Sequence, residues 1–196
     1  HADKEYKPKK FYYTDAINDH ATRFINEHNS NNPFFLYVAH TAPHWPMHAL
    51  PEDIKKYKGR YDEGWEKIRK TRYQKQLKLG LIEPKWKLSP RDAEAWQDAK
   101  NKEWEIRLME VYAAMVDRMD QGLGRIINAL EKRKMFENTL IIFIADNGGC
   151  AEGMGRKEGI QYKDSEPEIL KPMKDSDLQM DMIPKRTRDG VVMKQG

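Results

Sequence analysis

Apolar positions recur along the first fifty residues in two rhythms. From Thr14 to His28 they fall three and four apart. Ile17, Ala21, Phe24, Ile25 and His28 share one face, and Thr14 stands where a helix needs a cap. The polar run Asn29 to Asn32 and Pro33 end that helix. Phe34-Phe35-Leu36-Tyr37-Val38-Ala39 is then apolar at every position, which predicts a strand covered on both faces, as in an α/β sheet. It runs into His40-Thr41-Ala42-Pro43-His44-Trp45-Pro46, where two prolines stop the strand and stiffen a turn.

The rhythm weakens over residues 51–100. Gly59, Gly64, Gly80, Pro84 and Pro90 interrupt it, and aromatic residues are scattered from Tyr57 to Trp96. This stretch is predicted to be an irregular, partly helical excursion above the sheet. A long helix follows, from about Ala99 to Arg133, with Leu108, Tyr112, Met115, Met119, Leu123, Ile126 and Leu130 on one stripe. Lys132, Arg133 and Lys134 finish it where the helix dipole favours cations. A second apolar strand, Thr139 to Ala145, ends in Asp146-Asn147-Gly148-Gly149. Residues 151–196 are predicted to be a loop-rich tail. The order helix, strand, excursion, helix, strand predicts an α/β fold with helical crossovers. Two strands are too few to close such a sheet, so the chain is expected to be the central part of a domain and poorly stable alone.

Composition sharpens that expectation. The 196 residues suffice for one ordinary domain. Only 39% are hydrophobic and 34% are charged, against a usual charged share of ~25%. Such a chain carries either a heavily charged surface or apolar surfaces meant for a missing remainder. The net charge of +4 comes from 35 basic and 31 acidic residues. Their signs alternate, and even the dense basic run Lys55 to Lys78 is interrupted by Asp62, Glu63 and Glu66. That mixture argues for a solvated surface and against a nucleic-acid partner. The single cysteine, Cys150, excludes an intrachain disulfide. No apolar run approaches the ~20 residues of a membrane span. The opening His-Ala-Asp-Lys-Glu-Tyr is polar and has no initiator Met, so the natural N-terminus is expected elsewhere.

Candidate chemistry gathers at the two strand ends, where open α/β sheets bind ligands. Asp146 and Asn147 offer a carboxylate and an amide carbonyl, hard oxygen donors suited to calcium or magnesium. Gly148 and Gly149 would let the backbone approach a ligand closely, although Asp-Asn-Gly-Gly also reads as a plain turn. His44, between Pro43 and Trp45, is suited to protonating a leaving oxygen or binding an anion, and reads equally as a surface-loop histidine. His40 reads as a strand terminator, and His48 has no special context. Cys150 has no basic neighbour closer in sequence than Arg156 and reads as a structural thiol rather than a nucleophile.

These strand ends resemble the sulfatases of the alkaline phosphatase superfamily. Pro33 to Pro46 is similar to the family's internal strand and histidine turn, and Asn138 to Gly149 to its later metal-binding strand. Tyr112 to Asp120, followed by Gly122, resembles the helix between them, and Tyr12 to Ile17 the helix before the first strand. The likeness covers residues ~11–163 in order, which no single motif would match by chance.

The resemblance implies the central part of an alkaline-phosphatase-like three-layer sandwich, an incomplete catalytic domain across the whole chain. It implies that Asp146 and Asn147 ligate a calcium ion that binds sulfate, and that His44 contacts the ester and helps protonate the leaving alcohol. The family's nucleophile is a formylglycine made from a Cys/Ser-x-Pro-Ser-Arg motif, and no such motif occurs here. The paired aspartates that precede the nucleophile are also absent, as is the Lys-containing segment expected after the metal strand. The chain is therefore expected to be an inactive fragment of a sulfuric ester hydrolase acting on an aryl or carbohydrate sulfate. The resemblance suggests a periplasmic or secreted parent. The rivals are a phosphodiesterase or phosphonate hydrolase of the same superfamily and a non-catalytic binding remnant.

Overall fold

A computed structural model describes residues 6–44, 47–91, 94–149, 171–174 and 190. The chain forms two compact units, residues 1–140 and 141–196.

The first unit is built on two long helices. Helix α1, Tyr13–Glu27, buries Thr14, Ala16, Asn18, Ala21 and Ile25, a stripe of small and apolar side chains three and four apart. Helix α2 is the short Pro51–Lys55, with proline in its first turn, where no N–H is needed. Helix α3 is Gly64–Lys78, and helix α4 is the 31-residue Lys102–Lys132. The sequence placed α1 and α4 within one to three residues of these bounds.

Helices α1 and α4 lie side by side and run parallel. Contacts step along both together: Asp15 with Arg118, Asp19 with Arg125, and the carbonyl of His28 with Arg133. Parallel neighbours need a long connection between them, and here residues 28–101 supply it. The last contact also closes α1. His28 is its C-cap, and its carbonyl, an orphan of the last turn, accepts from the Arg133 guanidinium.

The core lies in the seam. Ala21 and Ile25 of α1 meet Ile126, Ala129 and Leu130 of α4, with Leu123, Met135 and Phe136 around them. Each large side chain buried there contributes about 1.5–3 kcal/mol. At one point the backbones come unusually close. A Cβ on Gly122 would stand 1.9–2.6 Å from the side-chain amide of Asn18, so only glycine fits there.

The segment Phe34–His40 crosses this helix pair. Phe34, Leu36 and Val38 pack on the core, and Phe34 meets the His28 ring edge-on at 5.3 Å. The far end, His40, reaches Asn18, so the segment runs opposite to α1. The intervening residues point away: Phe35 is 93% and Tyr37 78% exposed. Burial alternates with the period of a strand.

Here the structure departs from the expected sheet. No strand pairing is present among the described residues. The reason lies in the backbone: a helix satisfies its own N–H and C=O groups, whereas a strand satisfies them only on a neighbour. The expected cover on both faces is likewise present on one face only. The apolar run Leu140–Ile144 is exposed throughout, with Ile142 at 71% and Phe143 at 67%.

The excursion is more ordered than its sequence suggests. Gly64 opens α3 at φ +80° and leaves room for the Trp96 ring, which would lie 2.2–2.4 Å from a Cβ there. Trp65 and Trp96 pack edge to face at 4.7 Å, and Glu66 accepts from the Trp96 N–H at 3.0 Å. Arg69 donates to the Ser89 hydroxyl at 2.6 Å and Tyr73 to the Trp86 carbonyl at 2.7 Å, which ties the following loop to the helix.

Candidate functional site

His44 lies in the turn that follows the Phe34–His40 segment. The turn is exposed at His44, and the His44 N–H donates to the Thr41 carbonyl at 2.8 Å. The Ala42–Pro43 bond is cis, with Ala42 buried beneath.

Helix α1 and its N-cap residue, Tyr12, hold this turn on both sides of His44. Asn18, fully buried, donates from Nδ2 to the Thr14 carbonyl at 2.8 Å. That bond turns its Oδ1 toward His40, whose Nε2 lies 2.9 Å away. The His40 ring therefore donates from Nε2, and burial lowers its pKa below the ordinary value. On the other side, the Tyr12 hydroxyl donates to the His48 carbonyl at 2.6 Å. His40 and His48, read above without a chemical role, are thus the anchor points of the turn. The signal that finds them is spatial: Asn18 and His40 lie 22 residues apart.

Beside the turn lies a network of charges. Asp53 of α2, 2% exposed, accepts from Lys56 at 2.7 Å and from Gln121 at 3.1 Å. Its second oxygen lies 3.6 Å from Arg118, close enough for attraction but beyond hydrogen-bond reach. Lys56 also reaches Asp117 at 3.0 Å, and both carboxylates raise its pKa. Burial pushes Asp117 up, but hydrogen bonds from Gln121 and Lys56 outweigh it and hold its pKa below the usual value. Asp15 accepts both arms of the Arg118 fork. Tyr6, partly desolvated and donating to Asp19 at 2.7 Å, is pushed up to about 12. Every carboxylate here has a cation or donor beside it, which marks a structural lock rather than a proton-transfer site.

Asp146 and Asn147 belong to the second unit. Both are exposed. Asp146 accepts its neighbour's N–H on Oδ1 at 3.0 Å, and Asn147 donates from its side chain to the Gly148 carbonyl at 2.7 Å. That leaves the second carboxylate oxygen and the amide oxygen facing solvent. They are the hard donors calcium prefers, although two residues fall short of the six to eight oxygens it takes. Among the described residues, no group of three or more His, Cys, Asp or Glu is placed to hold a metal. Cys150 lies outside the described residues. A largely apolar groove along α1, lined by Phe11, Ile17, Phe24, Leu36 and Tyr37 with His20 and Tyr6 among them, includes neither His40 nor His44.

The sulfatase family model matches residues 1–173. The chain belongs to the sulfatase family. It is 37% identical over 175 residues to an uncharacterized sulfatase of Schizosaccharomyces pombe, covering 83% of this chain and 31% of that protein. It is 30% identical over 173 residues to an arylsulfatase of Klebsiella aerogenes, covering 86% of this chain and 36% of that protein. Arylsulfatase J of mouse is 23% identical over 138 residues, covering 70% and 16%. This sulfatase chain thus spans about a third of the length of the first two relatives. Membership implies the alkaline-phosphatase-like α/β fold and sulfuric ester hydrolysis as the family activity. No helix among the described residues is long and apolar enough to cross a membrane.

Proposed function

We propose that this chain is the middle part of a sulfate-ester hydrolase domain and supplies two of its components, a proton-donating histidine and a pair of calcium ligands. The observation that carries this reading is the anchored turn. His44 is an exposed residue of a segment tied to the start of α1 on both sides, in a family whose reaction expels an alcohol as its oxygen gains negative charge, before the sulfate itself is released. A histidine proton offsets that charge, typically worth 10²–10⁴-fold in rate. Asp146 and Asn147 present oxygens of the right chemistry for calcium, which when bound neutralises the charge of the sulfate group. The substrate is an aryl or carbohydrate sulfate, and the parent is periplasmic or secreted.

The α/β sheet is part of the same proposal. Two parallel helices with an antiparallel apolar segment across them form the helix layer and first strand of a crossover unit. The uncovered side of Phe35 and Tyr37 and the whole of Leu140–Ile144 are surfaces for further strands and a second helix layer.

The nucleophile lies outside this chain, because no Cys-x-Pro-Ser-Arg or Ser-x-Pro-Ser-Arg motif is present. The purified chain, assayed with a chromogenic aryl sulfate and calcium, is expected to give no turnover above the buffer blank. Turnover that tracks the purified protein would sink the fragment reading. In a longer protein carrying these residues with the nucleophile motif, Asp146→Ala should abolish metal binding and activity. His44→Ala should mainly lower kcat, by about 10²–10⁴-fold. An unchanged kcat would remove His44 from the mechanism.

A further inference from the structure

We propose that the outer face of helix α3 is a docking surface for a sulfated polysaccharide, which four lysines, Lys67, Lys70, Lys75 and Lys78, would hold by charge. The choice of a sulfated partner rests on the reading above that the parent protein cleaves sulfate esters; the charged face itself does not depend on it.

The mixed signs of the basic run separate once the helix forms. No acidic residue stands between Glu66 and Glu83, whereas Lys67, Arg69, Lys70, Arg72, Lys75 and Lys78 all fall there. Successive helical residues turn by about 100°, which divides these side chains between two faces. One face meets the loop that follows. Trp65 packs on Trp96, Glu66 accepts from Arg91 and from the Trp96 N–H, Arg69 donates to Ser89 and Tyr73 to the Trp86 carbonyl. The one acid within the helix is thus taken up on the loop side. The opposite face carries the four lysines within an arc of about 140° and along about 16 Å of the axis. Thr71 and Gln74 lie among them, and all six residues are exposed.

Helix energetics accounts for only part of this face. The dipole favours cations in the last turn, where Lys75 and Lys78 stand. Lys67 and Lys70 lie in the first half of the helix, beyond that effect, and like charges three or four apart repel each other. Lys67 has one loose ion pair, with Glu63 at 3.8 Å between two exposed side chains, and such pairs contribute little. Lys70, Lys75 and Lys78 have no carboxylate partner among the described residues. An anion laid along the helix would relieve the repulsion of all four together.

The chemistry of the face selects that anion. A sulfate monoester carries a single charge spread over its oxygens, and it is met by compact ammonium groups without the fork of an arginine. Charges repeated along the axis suit a polymer bearing several sulfates better than one small ester. Thr71 and Gln74 can exchange hydrogen bonds with sugar hydroxyls. From Lys67 to Lys78 the arc holds no aromatic side chain to stack on a base and no large apolar one to enter a membrane.

The test titrates the full chain by calorimetry with dextran sulfate, with unsulfated dextran and with double-stranded DNA. Wild type should bind dextran sulfate, more weakly as salt rises, and should ignore dextran. A variant with Lys67→Gln, Lys70→Gln, Lys75→Gln and Lys78→Gln keeps helix propensity. It should bind dextran sulfate about tenfold more weakly or worse, whereas Lys7→Gln, Lys9→Gln, Lys10→Gln and Lys132→Gln together, an equal loss of charge from other exposed positions, should stay within about twofold of wild type. Equal losses in the two variants would show that binding follows net charge and would overturn the proposal. DNA bound as tightly as dextran sulfate at the same salt would overturn it too. A second measurement needs no variant: bound dextran sulfate should shield Lys67, Lys70, Lys75 and Lys78 of the wild-type chain from an amine-acetylating reagent, read by mass spectrometry. Acetylation of these four at an unchanged rate would sink the proposal even if the glutamine variant fails to fold. No readout here requires turnover, so a failure of the sulfatase reading is registered separately by the aryl sulfate assay.

Discussion

The α1–α4 pair and the two apolar segments draw on similar residues yet differ in condition. Ile25 and Leu130 are each 3% exposed, whereas Ile142 and Phe143 are open to solvent. Hydrophobicity alone does not separate them. The helices close their own backbone bonds and need cover on one stripe only, which each gives the other. A strand needs partners along both edges and cover on both faces, and this chain provides one face to Phe34–His40. Local periodicity is therefore enough to form the helices, while the segments carry information that other strands must complete.

The comparison is most strongly broken or upheld in the core. Leu130→Ala should cost about 2–5 kcal/mol, read from the urea midpoint of the helical signal. Phe143→Ala should change that midpoint by no more than about 0.5 kcal/mol. Equal effects would mean that the exposed run is buried in solution.

Two glycines of α4 sharpen the picture of the helix seam. Gly122→Ala should destabilise by about 1–3 kcal/mol by driving into Asn18. Gly124→Ala meets nothing within 4 Å and should stabilise by about 0.5–1 kcal/mol through helix propensity. The same sign for both would refute the close approach.

The smallest expected effect concerns pH. Burial lowers the His40 pKa, so the unfolded chain binds more protons than the folded one just below the ordinary histidine value. Stability should therefore be full above about pH 6.5 and fall as pH drops through the window below it. His40→Gln should flatten that part of the profile. An unchanged slope would show that His40 is solvated in the folded chain.

Sequence periodicity revealed α1 and α4 because Ile17, Ala21, Ile25 and Leu123, Ile126, Leu130 mark their inner stripes. It missed α3, whose buried residue is Gly64 alone and whose charges give no apolar stripe. It identified the apolar segments but not their uncovered faces, since cover depends on strands outside the segment. At the site, the turn that carries His44 was legible from its flanking prolines. The tie between Asn18 and His40 was not, because Asn18 sits on the inner face of α1, where an amide reads as an interruption until His40 is seen beside it. Nor was the Asp53 network, which joins residues 61–68 apart.

The parallel seating of α1 against α4 also sets a schedule. Asp15 and Arg118 are 103 residues apart, and ribosomes add about 5–20 residues per second. The buried stripe of α1 thus waits about 5–20 s after its own synthesis before its partner emerges. During that interval the nascent chain displays Ile25, Phe34, Leu36 and Val38 together, an apolar surface that chaperones are built to hold. Slowing translation between residues 28 and 101 would lengthen the wait without altering one contact in the finished molecule.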